Sequence, residues 1–169
     1  MQAPAEVDLS SKGSQFSVVP ANVPSSFPVW LRWLLVPALV GAAVWATWTL
    51  GRAQDLQRGA RLYAEHCAAC HGTQLEGQPD WQIMGEAGVM PAPPHDETGH
   101  TWHHDDAMLI DYILRGGKAV LDDLGVRMTS GMPAFGDILE DDDIIAILAY
   151  IKSTWPARIQ VLQAARNSD

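Results

Sequence analysis

The chain has 169 residues, about one domain's worth of length, and 11 Lys plus Arg stand against 20 Asp plus Glu for a formal charge of -9. That balance argues against a nucleic-acid binder, which needs a basic footprint, and suits docking on basic partner surfaces. Charged residues make up only 18% of the chain and almost all of them avoid one stretch, so the sequence divides into physically different segments.

Residues 1–28 carry Ser10, Ser11, Pro20, Pro24, Ser25, Ser26 and Pro28 without sustained periodicity and read as a disordered tail. From Val29 to Leu50 there are 22 residues whose only charge is Arg32. As a helix that run spans ~33 Å, the hydrocarbon thickness of a bilayer. Trp30 and Trp33 sit at one end and Trp45 and Trp48 at the other, where indoles settle at the two headgroup layers, and Arg32 can snorkel to the nearer one. Pro37 and Gly41 are common in spanning helices, with a modest kink expected at Pro37. A cleaved secretory signal would have a shorter apolar run closed by a small-residue cleavage site, so a retained anchor over 29–50 is expected. Lys12 and Arg32 flank one end and Arg52, Arg58 and Arg61 the other, so basic flanks do not orient it.

Residues 51–169 then form one domain, with a core over about 55–155. Leu56, Ala60, Tyr63 and Cys67 follow steps of four, three and four, one face of a helix starting near Asp55. That helix runs into Cys67-Ala68-Ala69-Cys70-His71, the Cys-x-x-Cys-His pattern of covalent c-type haem attachment. Two thiols about one turn apart can each add to a vinyl group on the same porphyrin edge, and the imidazole that follows then meets the iron. His71 is therefore the expected proximal ligand. A redox dithiol needs no following His, and a zinc site would want further Cys or spaced His; the chain has only 2 Cys.

The segment after the motif contains Pro91-Ala92-Pro93-Pro94, then His95, His100, Trp102, His103 and His104. Four His in ten residues can bind copper or zinc, but without Cys or clear helical spacing the plainer reading is that they line a haem edge, hydrogen-bond propionates or face solvent. Trp102 is expected among the cofactor contacts. A middle helix over about His104 to Arg115 carries Met108, Leu109, Ile110, Ile113 and Leu114 and stops at Gly116-Gly117. Residues 72–103 and 116–140 remain long irregular stretches, tolerable in a compact domain if they wrap an apolar macrocycle.

For a sixth iron ligand, Met84, Met90, Met108, Met128 and Met132 are available. Gly131-Met132-Pro133 pairs a residue that permits close approach with one that stiffens the backbone, while Met90-Pro91 and Met128 stay open as rivals and Met108 falls in a helix. The last helix opens on Asp141, Asp142 and Asp143, repeats Ile144, Ile147, Leu148 and Ile151 at helical spacing, and ends at Pro156. The Asp run is a candidate docking surface, but complementing the helix dipole is the simpler account.

Gly59, Tyr63, the Cys67 to His71 motif, Gly72, Met132-Pro133-Ala134-Phe135 and Ile147-Leu148-Ala149-Tyr150 together resemble a class I monohaem cytochrome c over about Asp55 to Trp155. The resemblance implies an all-α haem-wrapping domain. Its first and last helices would cross near right angles, with Gly59, Tyr63, Ile147 and Tyr150 at the contact. It implies one haem c held through Cys67 and Cys70 and ligated by His71 and Met132. A Pro carbonyl, best aligned with Pro94, would accept the proximal imidazole's N–H and raise its basicity. Two axial protein ligands leave no open position, which suits one-electron transfer rather than enzyme chemistry on a small-molecule substrate.

In this family haem c is attached on the outer face of the bacterial inner membrane, which implies a cytoplasmic tail and a periplasmic domain. Gly51 to Gln54 would be the only link to the span, reaching at most ~14 Å if extended. Donors and acceptors are accordingly expected to be membrane complexes of a respiratory or photosynthetic chain. The alternatives are a haem c subunit fixed in an oxidase or dehydrogenase complex, and a haem sensor or peroxidase-like protein with an open iron site.

Overall fold

The computed structural model describes residues 29–85 and 88–168, so the expected tail 1–28 and the side chains of Trp30 and Arg32 lie outside the described residues. The first helix, α1 (Val29–His66), continues through Pro37 and through Gly51 to Gln54, the segment expected to link the span to the haem domain. Arg52, Ala53 and Gln54 are good helix formers, and one Gly costs only about 1 kcal/mol in a helix interior. At helical rise those four residues cover ~6 Å, well inside the ~14 Å they could reach if extended. Trp33, Trp45 and Trp48 are 78%, 67% and 61% exposed. Among the described residues, one helix is long and apolar enough to cross a membrane, with a mean hydropathy of 1.6. The chain divides into two compact units between Ala42 and Ala43.

In the second unit the elements after α1 are α2 (Ala68–His71), β1 (Val89–Met90), α3 (Asp106–Arg115), α4 (Gly117–Asp123), β2 (Thr129–Ser130), α5 (Asp141–Ser153) and α6 (Ala157–Arg166). The unit is all-α as expected, apart from the parallel two-residue ladder that pairs Val89 with Thr129 and Met90 with Ser130. Its core joins the carboxyl half of α1 to α5. Gly59 lets the two backbones touch, because a Cβ there would lie 2.5 Å from the carbonyl carbon of Ala146 and 3.0 Å from the Tyr150 Cβ. Tyr63 fills the next turn, its ring 5.6 Å from that of Tyr150. Arg58 pairs with Asp143 at 2.6 Å across the same contact. The four spaced apolar positions Ile144, Ile147, Leu148 and Ile151 are all buried, each contributing about 1.5–3 kcal/mol.

The Asp run at the start of α5 splits by role. Asp143 accepts the backbone N–H of Glu140, completing a capping box, while Asp141 and Asp142 are exposed. The middle helix begins two residues later than expected, since the Asp105 carboxylate caps it by accepting the Met108 N–H at 2.8 Å. Beyond Pro156 the chain turns into α6, which buries Ile159 and Gln163.

One carboxylate ties three helices together. Both Asp106 oxygens accept from Lys152 Nζ, at 2.6 and 2.7 Å, and Oδ1 also accepts from Gln163 Nε2 at 2.6 Å. Burial pushes this carboxyl up, but the hydrogen bonds from Lys152 and Gln163 outweigh it and hold the group below its ordinary range. A depressed carboxyl stabilises the fold above its unfolded-state pKa, and that contribution is lost as pH falls through the folded value. The Asp106 side chain is 38% exposed, so screening limits the effect to about 1 kcal/mol. Asp106→Asn should therefore lower the melting temperature at pH 7 and flatten its fall below pH 4. A variant melting curve parallel to wild type through the acid range would contradict this role.

Candidate haem-binding site

The Cys-x-x-Cys-His segment is wound as a single turn. The N–H groups of Cys70 and His71 both donate to the Cys67 carbonyl, at 3.1 and 2.9 Å, and the Cys67 N–H donates back to Tyr63 at 2.9 Å. This coil separates the two sulfurs by about one turn and sets His71 beyond them. The Tyr63 hydroxyl locks the far end, donating to the carbonyls of His71 at 3.2 Å and Gly72 at 2.8 Å. Cys70 is exposed and Cys67 half-buried. Burial, then the neighbouring Cys70, pushes the Cys67 thiol up to about 11, so it is protonated at neutral pH.

His71 is buried, and its Nδ1 lies 2.8 Å from the carbonyl oxygen of Pro93. A carbonyl only accepts, so the proton sits on Nδ1 and the Nε2 lone pair is left for a metal. The acceptor is thus Pro93 rather than Pro94, a correction of one residue within the Pro run. Tertiary hydrogen bonds set that register: Gln78 N–H to the Ala92 carbonyl and Ala92 N–H to Gln78 Oε1, both at 2.9 Å, and the N–H groups of His95 and Asp96 to the Leu75 carbonyl. The Pro94 carbonyl faces the Thr101 hydroxyl instead, at 3.4 Å. Burial lowers the His71 imidazole below its ordinary range and the Pro93 bond partly restores it, which keeps the ring neutral and fit to ligate.

Met132 is half-buried and packs on the core cluster, as do Cys67 and Trp102. Its loop is gripped by the junction of α3 and α4, where the Gly117 N–H donates to the Met132 carbonyl at 3.1 Å. Gly116, at φ +79°, sits so close that a Cβ would meet Ala134 N at 2.8 Å and Met132 O at 3.0 Å. The pair expected only to stop a helix also holds the Met132 loop. Of the other methionines, Met84 and Met128 are exposed, Met90 lies in β1 and Met108 lies on α3.

The histidines do not converge on a second metal. Among the described residues no group of three or more His, Cys, Asp or Glu side chains is arranged to hold one. They pair with aromatics instead: His95 stacks on His71 at 4.0 Å, His100 on Trp81 at 5.4 Å, and His103 on Trp102 at 3.7 Å. Burial, then His71 and His100, holds His95 well below the ordinary imidazole range.

The residues fit a haem on two independent observations. Trp102 Nε1 is the one buried side-chain polar atom among the described residues without a hydrogen-bond partner, and a propionate oxygen would satisfy it. Leu109, Ile110, Leu114, Met132 and Phe135 touch the core yet stay half-covered, an apolar wall that a flat macrocycle would complete.

The cytochrome c family profile matches residues 56–155. The chain is 30% identical over 106 residues to the gluconate 2-dehydrogenase cytochrome c subunit of Pantoea cypripedii, covering 63% of this chain and 22% of that protein. It is 31% identical over 99 residues to the cbb3-type cytochrome c oxidase subunit FixP of Bradyrhizobium sp., covering 59% of this chain and 27% of that one. It is 32% identical over 124 residues to cytochrome c6 of Picosynechococcus sp., covering 70% of this chain and 89% of that protein. The chain thus spans about a quarter of the dehydrogenase and oxidase subunits but most of cytochrome c6. No solved structure is a significant match. A profile match that begins in the carboxyl half of α1 and ends at Trp155 brackets the whole haem-wrapping core, and the chain belongs to the class I cytochrome c family, electron-transfer proteins that carry covalent haem c.

Proposed function

We propose that the protein is a membrane-anchored electron carrier whose single haem c is ligated by His71 and Met132. In this reading residues 29–50 are the anchor, 51–169 the haem domain on the periplasmic side of a bacterial inner membrane, and 1–28 a cytoplasmic tail. The observation that carries it is the Pro93 carbonyl, which fixes the His71 proton on Nδ1 and frees Nε2 for iron, together with a Met132 loop clamped by Gly116 and Gly117. Covalent haem c supplies an iron that takes up and gives back one electron. His71 and Met132 would both ligate the iron, leaving no site on it for oxygen or a substrate, and the thioether would favour the ferrous form. Cys67 and Cys70 would hold the macrocycle covalently, and the Trp102 indole would donate to a propionate.

The apolar stretch of α1 and its exposed indoles support the anchor. With so short an interval between span and haem helix, donor and acceptor are membrane complexes or proteins lying low on the membrane. Optical spectra of the detergent-solubilised protein, oxidised and reduced, with and without carbon monoxide, test the ligation. Wild type should be low-spin, show a Met-to-ferric charge-transfer band and ignore carbon monoxide. Met132→Ala should lose that band and bind carbon monoxide. A wild-type protein that binds carbon monoxide would put the sensor or peroxidase-like reading in its place.

A second reading, a haem subunit fixed in a larger complex, is favoured by the likeness to a dehydrogenase cytochrome subunit and to an oxidase subunit. Stoichiometric copurification with other subunits in mild detergent would support it. Recovery of a lone monomer would leave the carrier.

A further inference from the structure

We propose that His95 is a positioning residue for His71, fixing the plane of the proximal imidazole by lying flat against it. This rests on the reading of His71 as the iron ligand and goes beyond it. The two rings are 4.0 Å apart between centroids and inclined by only 21°. A carbonyl accepts over a broad range of directions, so the bond to Pro93 fixes the tautomer and one edge of the His71 ring but leaves it able to swing about that contact. A flat ring packed on one face removes that freedom, because any swing drives the imidazole edge into its neighbour.

His95 can serve as a stop because it is itself pinned on several sides. Its N–H donates to the Leu75 carbonyl at 2.8 Å and its carbonyl accepts the Trp155 indole N–H at 2.7 Å. Its ring Nδ1 lies 2.8 Å from the buried Thr101 hydroxyl, and the Tyr63 ring stands edge-on to it at 6.3 Å. Leu75, Trp155 and Tyr63 are each at most 3% exposed, so these anchors belong to the rigid core. Pro93 and His95 thus grip one imidazole from a single strap, by its edge and by its face. An imidazole also differs from an aliphatic residue here, since the Thr101 contact fixes the plane of the His95 ring as well as its place.

The plane of the iron-ligating imidazole and the orientation of the thioether together set how unpaired spin spreads over a ferric macrocycle, so with Met132 unchanged a turn of the imidazole shows as a change in the haem-methyl shifts in proton NMR. The test uses the full-length holoprotein in detergent. His95→Leu should reorder those shifts and move the ferric–ferrous equilibrium toward ferrous by about threefold against a fixed reference couple, as the Pro93 bond loosens. His95→Phe, which keeps a flat face but loses the Thr101 bond, should bring the order part of the way back toward wild type. If His95→Leu loads no haem, Thr101→Val keeps the ring but removes its Nδ1 partner and should shift the methyls in the same sense. Wild-type methyl order in a loaded His95→Leu protein, or in Thr101→Val where His95→Leu does not load, would overturn the proposal. A wild-type ferric protein that is not low-spin would overturn the ligation reading itself, a different failure visible before any variant is made.

Discussion

Gly59→Val should abolish the folded domain. The site lies where α1 crosses α5, and a Cβ there would sit 2.5 Å from the carbonyl carbon of Ala146, inside contact distance of its oxygen. The obstacle is helix backbone, which cannot rotate aside as a side chain can, so the helices must separate. Separation uncovers Tyr63 and Ile147, each 1% exposed, and pulls Arg58 away from Asp143. Two or three such side chains at about 1.5–3 kcal/mol each come to about 3–9 kcal/mol, which together with the backbone clash is comparable to a net stability of about 5–15 kcal/mol. Gly59→Ala, with the same first atom but no branch, should cost about 3 kcal/mol by overpacking. Gly51→Ala supplies the control, because it lies in the same helix with nothing within 4 Å of the added Cβ and should gain about 0.5–1 kcal/mol. Thermal unfolding followed at the haem absorbance band separates the three. A Gly59→Ala protein melting alongside Gly51→Ala would refute the close crossing.

Periodicity gave the two helices, but their crossing at Gly59, Tyr63, Ile147 and Tyr150 came from the family resemblance and not from the pattern itself. The attachment motif was legible directly, its chemistry being local. What escaped depends on distant partners. Three prolines at 91, 93 and 94 look alike in sequence, and only the bonds from Gln78 and to Leu75 choose Pro93 to face His71. The helix α6 buries Gln163 on a face that pattern reading would score as polar, and its burial makes sense only beside Asp106 and the His104 carbonyl. Two-residue strands are too short to show any alternation. The short α4 opens on two glycines that read as a stop, and they serve that role for α3 while also letting the Met132 loop close in. The stacking of His95 on His71 has no sequence signal at all beyond a histidine near prolines.

Replacing both cysteines, Cys67→Ala with Cys70→Ala, should leave the second unit largely unfolded while the apolar stretch of α1 stays helical in detergent. The core cluster that closes without haem consists of ten side chains, among them Tyr63, Ile147, Leu148 and Trp155. Against that stand the long segments between α2 and α3 and between α4 and α5, whose ordering costs about 1–2 kcal/mol of backbone entropy per residue. The apolar side chains that would offset it, Leu109, Ile110, Leu114, Met132 and Phe135, are only half-covered by protein, and a covalently held macrocycle supplies the missing contact. Far-ultraviolet circular dichroism alone would mislead, since a spanning helix keeps its backbone bonds in lipid or detergent whatever the domain does. Amide hydrogen exchange on α5 discriminates, because Ile144 to Ile151 are protected only if the core stays closed. Near-complete exchange in the double variant within minutes, against slow exchange in the holoprotein, is the expected result. Slow exchange in both would mean that the ten-residue cluster suffices, and that the loops are held by their own hydrogen bonds, such as those joining Leu75, Ala92 and His95, rather than by the haem.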